Sequence, residues 1–112
     1  MAINFQNIDQ SCVTFSSFDA LEDQLVKVSS RGTVSVCNDG DDFCGLAIHH
    51  RGNFCSVQLE GFVTVPYTGS TPAMGWTQLV ANGTGGAKAS SSGRTYLVVD
   101  ADLINKMLTF KL

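Results

Sequence analysis

Residues 54–65 read Phe-Cys-Ser-Val-Gln-Leu-Glu-Gly-Phe-Val-Thr-Val, and the spacing of apolar residues in this segment determines the predicted fold class. Alternate positions carry Cys55, Val57, Leu59, Gly61, Val63 and Val65, with mostly polar residues between them. A period of two places successive side chains on opposite faces, so the segment is predicted to be a half-buried antiparallel strand. Because strands usually have about five or six residues, we expect Gly61 to mark a bulge or sharp bend that lets the strand curl around a barrel.

Short apolar runs separated by glycine and polar clusters predict further strands on both sides of this segment. These strands are predicted at residues 12–15, 25–29, 33–37, 43–49, 76–81, 96–100 and 107–112. Turns are predicted at residues 30–32, 38–42, 50–53 and 66–69, with a flexible hairpin loop at 82–86. The one helix-like stretch, residues 17–24, is too short to build a domain and is expected to be a connector.

The sequence therefore predicts an all-β protein, a compact single-domain β-barrel or β-sandwich of roughly seven to nine short, mainly antiparallel strands. Residues 1–24 are expected to form an N-terminal arm, the first strand and the connector. Residues 25–112 are expected to form the barrel core of the same domain.

Composition narrows the possible partners. A chain of 112 residues has room for one core, and 44% hydrophobic against 15% charged residues is typical of a folded protein. The net charge is −3 and the seven basic residues are scattered, which argues against a nucleic acid as partner. No apolar run approaches the length of a membrane span, and the N-terminus lacks the pattern of a secretion signal. We therefore expect no membrane partner and a protein that stays in the compartment where it is made.

Residues suited to chemistry do not form a recognisable constellation. His49 and His50 are adjacent on a predicted strand and should point to opposite faces, so they are poorly placed to share a metal. A small hydrolase or metal-binding enzyme remains the alternative in which this histidine pair matters. The four cysteines, Cys12, Cys37, Cys44 and Cys55, match no zinc-site spacing and are expected to be ordinary buried or half-buried thiols, with two disulfides as the alternative.

Three other segments contain residues that could bind a ligand or act as an acid and base, but the neighbouring residues do not complete such a site. The acidic residues of the 39–42 turn lack the later glutamate of a calcium loop, and residues 82–88 lack the spacing of a phosphate-binding loop. Asp100 and Asp102 have no nucleophile or oxyanion donor nearby in the sequence. We therefore expect no catalytic residue, no metal and no cofactor.

Residues 61–76, Gly-Phe-Val-Thr-Val-Pro-Tyr-Thr-Gly-Ser-Thr-Pro-Ala-Met-Gly-Trp, resemble the central segment of small bacteriophage head-decoration and head-fibre-like proteins. In that family a strand ends in a V-P-Y-T/S-G turn, and a P-x-x-G step leads into the next strand. Residues 79–88 are similar to its LVADGxGGVK hairpin, and residues 96–100 to its strand before the last. Upstream, residues 32–34 and 41–47 are similar to its G-T-V and F-x-G-V-A segments. The matches follow the family's order and cover most of the chain beyond residue 25.

The chain departs from the family pattern at two places. Ala87 stands where valine is usual, and residues 103–106, Leu-Ile-Asn-Lys, stand where a plain polar turn is common. The departures leave open whether the chain decorates a capsid or belongs to a related head or tail part.

The resemblance implies a compact β-barrel or tulip-like fold without cofactor or active site. It also implies a role as capsid cement: a structural protein that binds the major capsid protein on the outside of an icosahedral shell, often as a trimer, and strengthens it against internal DNA pressure. The protein would then be made in the bacterial host cytoplasm and lie on the capsid surface. A generic β-barrel protein-binding module, such as a phage head–tail or tail component, is the alternative.

Apolar residues outside the predicted core are candidates for partner contacts, because aromatic and methionine side chains dominate protein interfaces. The candidates are Ile3, Phe5 and Ile8 in the N-terminal arm, together with Tyr67, Met74 and Trp76. Two alternatives stay open: the arm packs as an extra edge strand, and Trp76 packs in the core or at the barrel rim.

Overall fold

The computed structural model describes residues 11–112 except residues 18 and 21, and this part of the chain consists of β-strands joined by turns. The strands are β1 (Ser11–Ser16), β2 (Leu25–Ser30), β3 (Thr33–Val36), β4 (Gly45–Arg51), β5 (Phe54–Glu60), β6 (Phe62–Pro66), β7 (Gly75–Ala81), β8 (Ala87–Ala89), β9 (Arg94–Asp102) and β10 (Met107–Lys111). The all-β prediction is confirmed. The described residues form no helix, and so none that is long and apolar enough to cross a bilayer.

The described strands number ten rather than the predicted seven to nine, for two reasons. The segment predicted as one strand at 54–65 is divided between β5 and β6. In addition, the three residues of β8 are too few to give a hydrophobic pattern.

These strands form two sheets, each built from a continuous half of the described chain. The first is a closed barrel in the order β1-β3-β2-β4-β5, and the second has the order β6-β10-β9-β7-β8. Every strand pairing is antiparallel except that of β1 with β3. Because β1 pairs with both β3 and β5, it is an integral barrel strand, so the folded unit begins before residue 25.

Gly61 is the point at which the chain leaves the barrel for the second sheet. Its φ of +99° is a conformation that residues with a Cβ rarely adopt. The expected bend at Gly61 is confirmed, but it changes sheets instead of curling one strand around a single barrel.

The buried side chain of Gln58 ties the two sides of this bend together. Gln58 is 3% exposed, and its Nε2 donates to the carbonyl oxygens of Glu60 at 3.0 Å and Phe62 at 3.1 Å. The backbone nitrogen of Leu112 donates to the carbonyl oxygen of Gly61 at 2.9 Å. The carbonyl groups of residues 60, 61 and 62 therefore all accept hydrogen bonds, from Gln58 before the bend and from Leu112 after it.

Strands β2 and β4 separate two hydrophobic cores. The barrel interior contains Ala20, Val26, Val34, Ala47, Cys55 and Val57. The larger core lies against the second sheet and contains Leu25, Cys37, Phe43, Leu46, Val63, Val65, Tyr67, Leu79, Ala81, Ala87, Tyr96, Val98, Leu108 and Phe110. Adjacent residues on β2 and on β4 belong to different cores because side chains alternate along a strand, so both faces are buried there.

An aromatic cluster fills the centre of the larger core. The rings of Phe43 and Tyr96 stack with centroids 4.9 Å apart, and Phe110 lies 5.7 Å from Phe43 and 5.4 Å from Tyr96. The Tyr96 hydroxyl donates to the carbonyl oxygen of Phe43 at 3.3 Å, which satisfies this buried polar group. Phe43 comes from the barrel half of the chain, so the cluster joins the two sheets.

Replacing Gln58 by alanine should remove the tie at the bend. We expect Gln58→Ala to lower the free energy of unfolding by about 2 kcal/mol, because two hydrogen bonds from a buried amide are lost. Gln78→Ala is the matched control, since Gln78 is exposed and its Nε2 donates to a single carbonyl, that of Gly93, at 3.1 Å. Urea unfolding measures both variants. Equal losses in the two variants would contradict the role given to Gln58.

Acid should weaken the turn between β3 and β4. The hydrogen bond from Lys27 to Asp41, at 2.6 Å, and a second from the backbone of Asn38 lower the pKa of Asp41. A carboxyl with a lowered folded-state pKa adds stability above its unfolded pKa of about 3.9, and this stability is lost as pH falls through the folded-state value. Asp41→Asn should therefore destabilise the protein at pH 7 and flatten the loss of stability at acid pH. Asp42→Asn is the control, because Asp42 makes no ion pair with a described residue, and the same profile in both variants would count against this role for Asp41.

Candidate protein interface

The two adjacent histidines of β4 point to different partners. His49 Nδ1 lies 3.2 Å from Glu22 Oε1, whereas His50 Nε2 lies 3.3 Å from the carbonyl oxygen of Ser17. This divergence agrees with the expectation from strand geometry. Within the described residues, no group of three or more histidine, cysteine, aspartate or glutamate side chains is arranged to hold a metal.

The acidic turn and the glycine-rich loop are both engaged in structural contacts. Asp41 pairs with Lys27 on β2, and Asp39 pairs with Lys88 on β8, each at 2.6 Å, so the turn links the barrel to the second sheet. In the glycine-rich loop, Asn82 Oδ1 accepts hydrogen bonds from Thr84 and from the backbone nitrogen of Gly86. The side-chain oxygen of Asn82 thus already accepts from the backbone N–H groups of Thr84 and Gly86, which a bound phosphate would need as donors. The loop predicted to be flexible is thus internally tied.

All four cysteines are free thiols. Cys37 and Cys55 are buried, Cys44 is half-buried and Cys12 is exposed. Burial raises the pKa of Cys37 to about 12 and also raises the pKa of Cys44 and Cys55. Since the thiolate is the reactive form, these three side chains behave as apolar groups near neutral pH. The prediction of buried or half-buried thiols is confirmed for three cysteines and is wrong for Cys12.

The predicted contact residues divide according to their exposure. Tyr67 is 2% exposed, its hydroxyl lies 3.1 Å from Thr71 Oγ1, and Lys106 Nζ lies 5.1 Å from its ring centroid. Such burial does not fit the prediction that Tyr67 contacts a partner. Met74 is 54% exposed. The remaining predicted contacts, Ile3, Phe5 and Ile8, lie outside the described residues.

Trp76 lies on the outer face of the second sheet with 73% of its surface exposed, so the alternative that it packs in the core is wrong. Trp76 is directly opposite Leu97 on β9, and Leu97 is directly opposite Lys111 on β10. Residues opposite one another in antiparallel strands share a face. We call the outward surface of Trp76, Leu97 and Lys111 the Trp76 face.

The backbone before Trp76 fixes where β7 begins. Gly75 has a φ of +90°, and the Thr77 hydroxyl donates to the carbonyl oxygen of Ala73 at 2.9 Å. This turn sends the chain into β7 directly after the exposed Met74. The exposed tryptophan is therefore carried on an ordered strand and not on a loose loop.

A second exposed apolar feature lies at the turn between β9 and β10. We call residues 103–106 the tip; within it Leu103 is 65% exposed and Ile104 is 92% exposed. Asp102 accepts hydrogen bonds from the backbone nitrogens of Ile104 and Asn105 and from the Asn105 side chain, and these contacts lower its pKa. Lys106 has a φ of +57°, and its carbonyl oxygen accepts from the backbone nitrogen of Tyr67 at 3.0 Å.

Sequence reasoning did not identify the tip as a contact surface. The available signal was an aspartate three residues before an asparagine, which is typical of a turn, with two large apolar residues between them. Phe54 and Val28 are also exposed, at 59% and 55%, but these barrel residues belong to different strands, and single exposed apolar residues are ordinary on protein surfaces.

No model of a known protein family matches the chain, and no curated protein is significantly similar to it. A proposal for the function therefore rests on the exposed surfaces and on the motif resemblance.

Thiol labelling should distinguish the four cysteines. We expect Cys12 to react rapidly in the folded protein at pH 8 and Cys37 to react only on unfolding, because a rise in pKa from 9.0 to about 12 leaves about 1,000-fold less thiolate. Mass spectrometry after a short exposure to iodoacetamide measures the sites. Cys12→Ser is the control and should abolish the rapid label. Rapid labelling of Cys37 in folded protein would contradict its burial.

Proposed function

We propose that this chain is a structural protein of a bacteriophage particle that binds the outer surface of the capsid and stabilises the shell. The observation that carries the proposal is Trp76, which is 73% exposed on an ordered strand of the second sheet. A large aromatic side chain held outwards on a rigid sheet is a typical anchor of a protein interface. Its burial removes much apolar surface from water and costs little conformational entropy.

The choice of a capsid as partner is supported by the ordered series of motifs that resemble head-decoration proteins. In this fold, the Val-Pro-Tyr-Thr-Gly segment includes the end of β6, residues 79–88 form the β7–β8 hairpin, and residues 96–100 lie within β9. These three motif segments lie in the second sheet, which carries the Trp76 face, whereas residues 32–34 and 41–47 lie in the barrel half of the chain.

A binding role is also supported by the use of the polar groups considered for chemistry. Asp39 and Asp41 form ion pairs with lysines, and Asp102 holds the tip. Each of these carboxylates makes a contact that supports the fold. A cement protein needs no reaction, because many symmetry-related copies multiply weak contacts into tight attachment. We propose a homo-oligomer, with a trimer favoured, and the major capsid protein as partner.

Co-sedimentation tests the proposal. The chain is mixed with capsid shells assembled from the major capsid protein encoded in the same genome, and the bound fraction is measured after sedimentation. We expect saturable binding, and Trp76→Ala should weaken it about tenfold, the effect of losing an aromatic anchor. Phe54→Ala is the control, since Phe54 is similarly exposed but lies on the barrel.

Three results would count against the capsid role. Binding no stronger than that of an unrelated β-protein would contradict it, as would a gene located within a metabolic operon. Binding to purified tails but not to shells would replace it with the tail-component function.

A further inference from the structure

We propose that Asn82 and Gly83 form a site of spontaneous chemical modification, at which the folded protein loses ammonia from the Asn82 side chain. The site lies in the glycine-rich loop between β7 and β8. Three features of the loop favour the reaction: the donors around Asn82 Oδ1, the unpaired Asn82 Nδ2 and the backbone nitrogen of Gly83. The reaction needs neither a partner nor an enzyme, so it is independent of the proposed capsid role.

The reaction is an attack of a backbone nitrogen on the preceding side chain. The nitrogen of Gly83 forms a bond to Asn82 Cγ and gives its proton to hydroxide or a buffer base. The electron pair of the side-chain carbonyl moves onto Oδ1. It returns to re-form the carbonyl as the bond from Cγ to Nδ2 breaks, and Nδ2 takes up a proton and leaves as ammonia. Water then opens the cyclic imide and produces aspartate or isoaspartate at position 82.

Asn82 Oδ1 is surrounded by the donors that this reaction needs. It accepts hydrogen bonds from the backbone nitrogen and the hydroxyl of Thr84, each at 2.9 Å, and from the backbone nitrogen of Gly86 at 3.1 Å. Negative charge develops on this oxygen during the attack, and hydrogen bonds to a charged acceptor are stronger than those to a neutral one. The three donors therefore stabilise the transition state more than the ground state, as an oxyanion hole does.

The leaving nitrogen is the atom of the side chain that the fold satisfies least. Asn82 Nδ2 is buried and has no acceptor among the described residues. A buried donor without a partner is unfavourable, and rotation of the amide would place this donor against the three donors that now bond to Oδ1. Loss of Nδ2 as ammonia breaks no hydrogen bond with a described residue and removes an unsatisfied group from the loop.

The fold itself requires glycine at position 83, and glycine is also the least hindered attacking residue. Gly83 has a φ of +83°, and a Cβ at this position would lie 3.0 Å from the backbone nitrogen of Asp39. Gly83 is exposed and its N–H donates to no described residue, so a base can reach the proton. Among the asparagines of the sequence, Asn82 alone precedes a glycine.

Conversion should alter a contact between the two sheets. The carbonyl oxygen of Gly85 accepts from the backbone nitrogen of Leu25 at 2.9 Å, and Asn82 donates to Gly86 at 3.1 Å across the base of the loop. Isoaspartate adds a methylene group to the main chain inside this loop and displaces the oxygen that Thr84 and Gly86 now contact. The converted protein should therefore unfold at a lower urea concentration than the unconverted protein.

Peptide mapping by mass spectrometry tests the site in the full chain. We expect Asn82 to convert at least about tenfold faster than Asn38, Asn53 and Asn105 in folded protein at about pH 8, and about tenfold faster there than in chain unfolded by urea. The comparison with urea separates the effect of the loop from that of the Asn-Gly sequence, which is the same in both states. Conversion no faster in the folded protein than in urea, or no faster at Asn82 than at the other three asparagines, would overturn the proposal.

Removal of one donor tests the role of the hydrogen bonds. Thr84→Val keeps the shape of the side chain and removes its hydroxyl, so we expect about fivefold slower conversion in folded protein and an unchanged rate in urea. Thr84→Ser keeps the hydroxyl and should convert as the wild type does. Thr77→Val is the matched control, since the Thr77 hydroxyl donates to Ala73 near the start of β7. Circular dichroism establishes that each variant is folded. Faster or unchanged conversion in folded Thr84→Val would show that the hydrogen bonds do not promote the attack, and would refute the proposal.

Discussion

The amide of Gln58 is the interaction on which the rest of the described structure depends. It spans the bend at Gly61, where the chain passes from the barrel to the second sheet, and it is buried between the two. The first residues of β2 and β4 are buried on both faces because the second sheet returns over the barrel there. Loss of the Gln58 hydrogen bonds should therefore lower the free energy of unfolding by more than two hydrogen bonds contribute, because the same bend brings the second sheet over the larger core.

Much of the fold could be predicted from the sequence because side-chain alternation is a local property. The buried positions Cys55, Val57, Val63 and Val65 follow directly from the period of two. The division into two sheets could not be predicted, since the period continues unchanged across Gly61. The same pattern puts Gln58 on the polar side, yet its side chain is buried and bonded to the carbonyl groups around the bend. Pairing of β1 with β3 and β5 is likewise non-local.

The candidate surface was predictable in part, for a related reason. The sequence predicts Met74 and Trp76 as contact residues because their residue types are common at interfaces, and both are exposed. Tyr67 shares that chemistry, but its turn folds back so that the ring packs in the larger core. Leu103 and Ile104 are not predicted as contact residues, because the sequence indicates a turn at residues 103–106 without showing how far its apolar side chains are exposed. Their exposure follows from the turn that Asp102 holds, which composition alone does not reveal.

The contiguity of the two sheets bears on how the protein folds during synthesis. The barrel strands end at residue 60, so all of them emerge from the ribosome before any strand of the second sheet emerges. A barrel formed at that stage would still expose Leu25, Phe43 and Leu46, which face the larger core. If the barrel formed at that stage, these apolar side chains would stay in contact with water until residues 62–112 covered them, and such exposed surface on a nascent chain favours aggregation. Slow synthesis of residues 62–112 would then prolong this exposure.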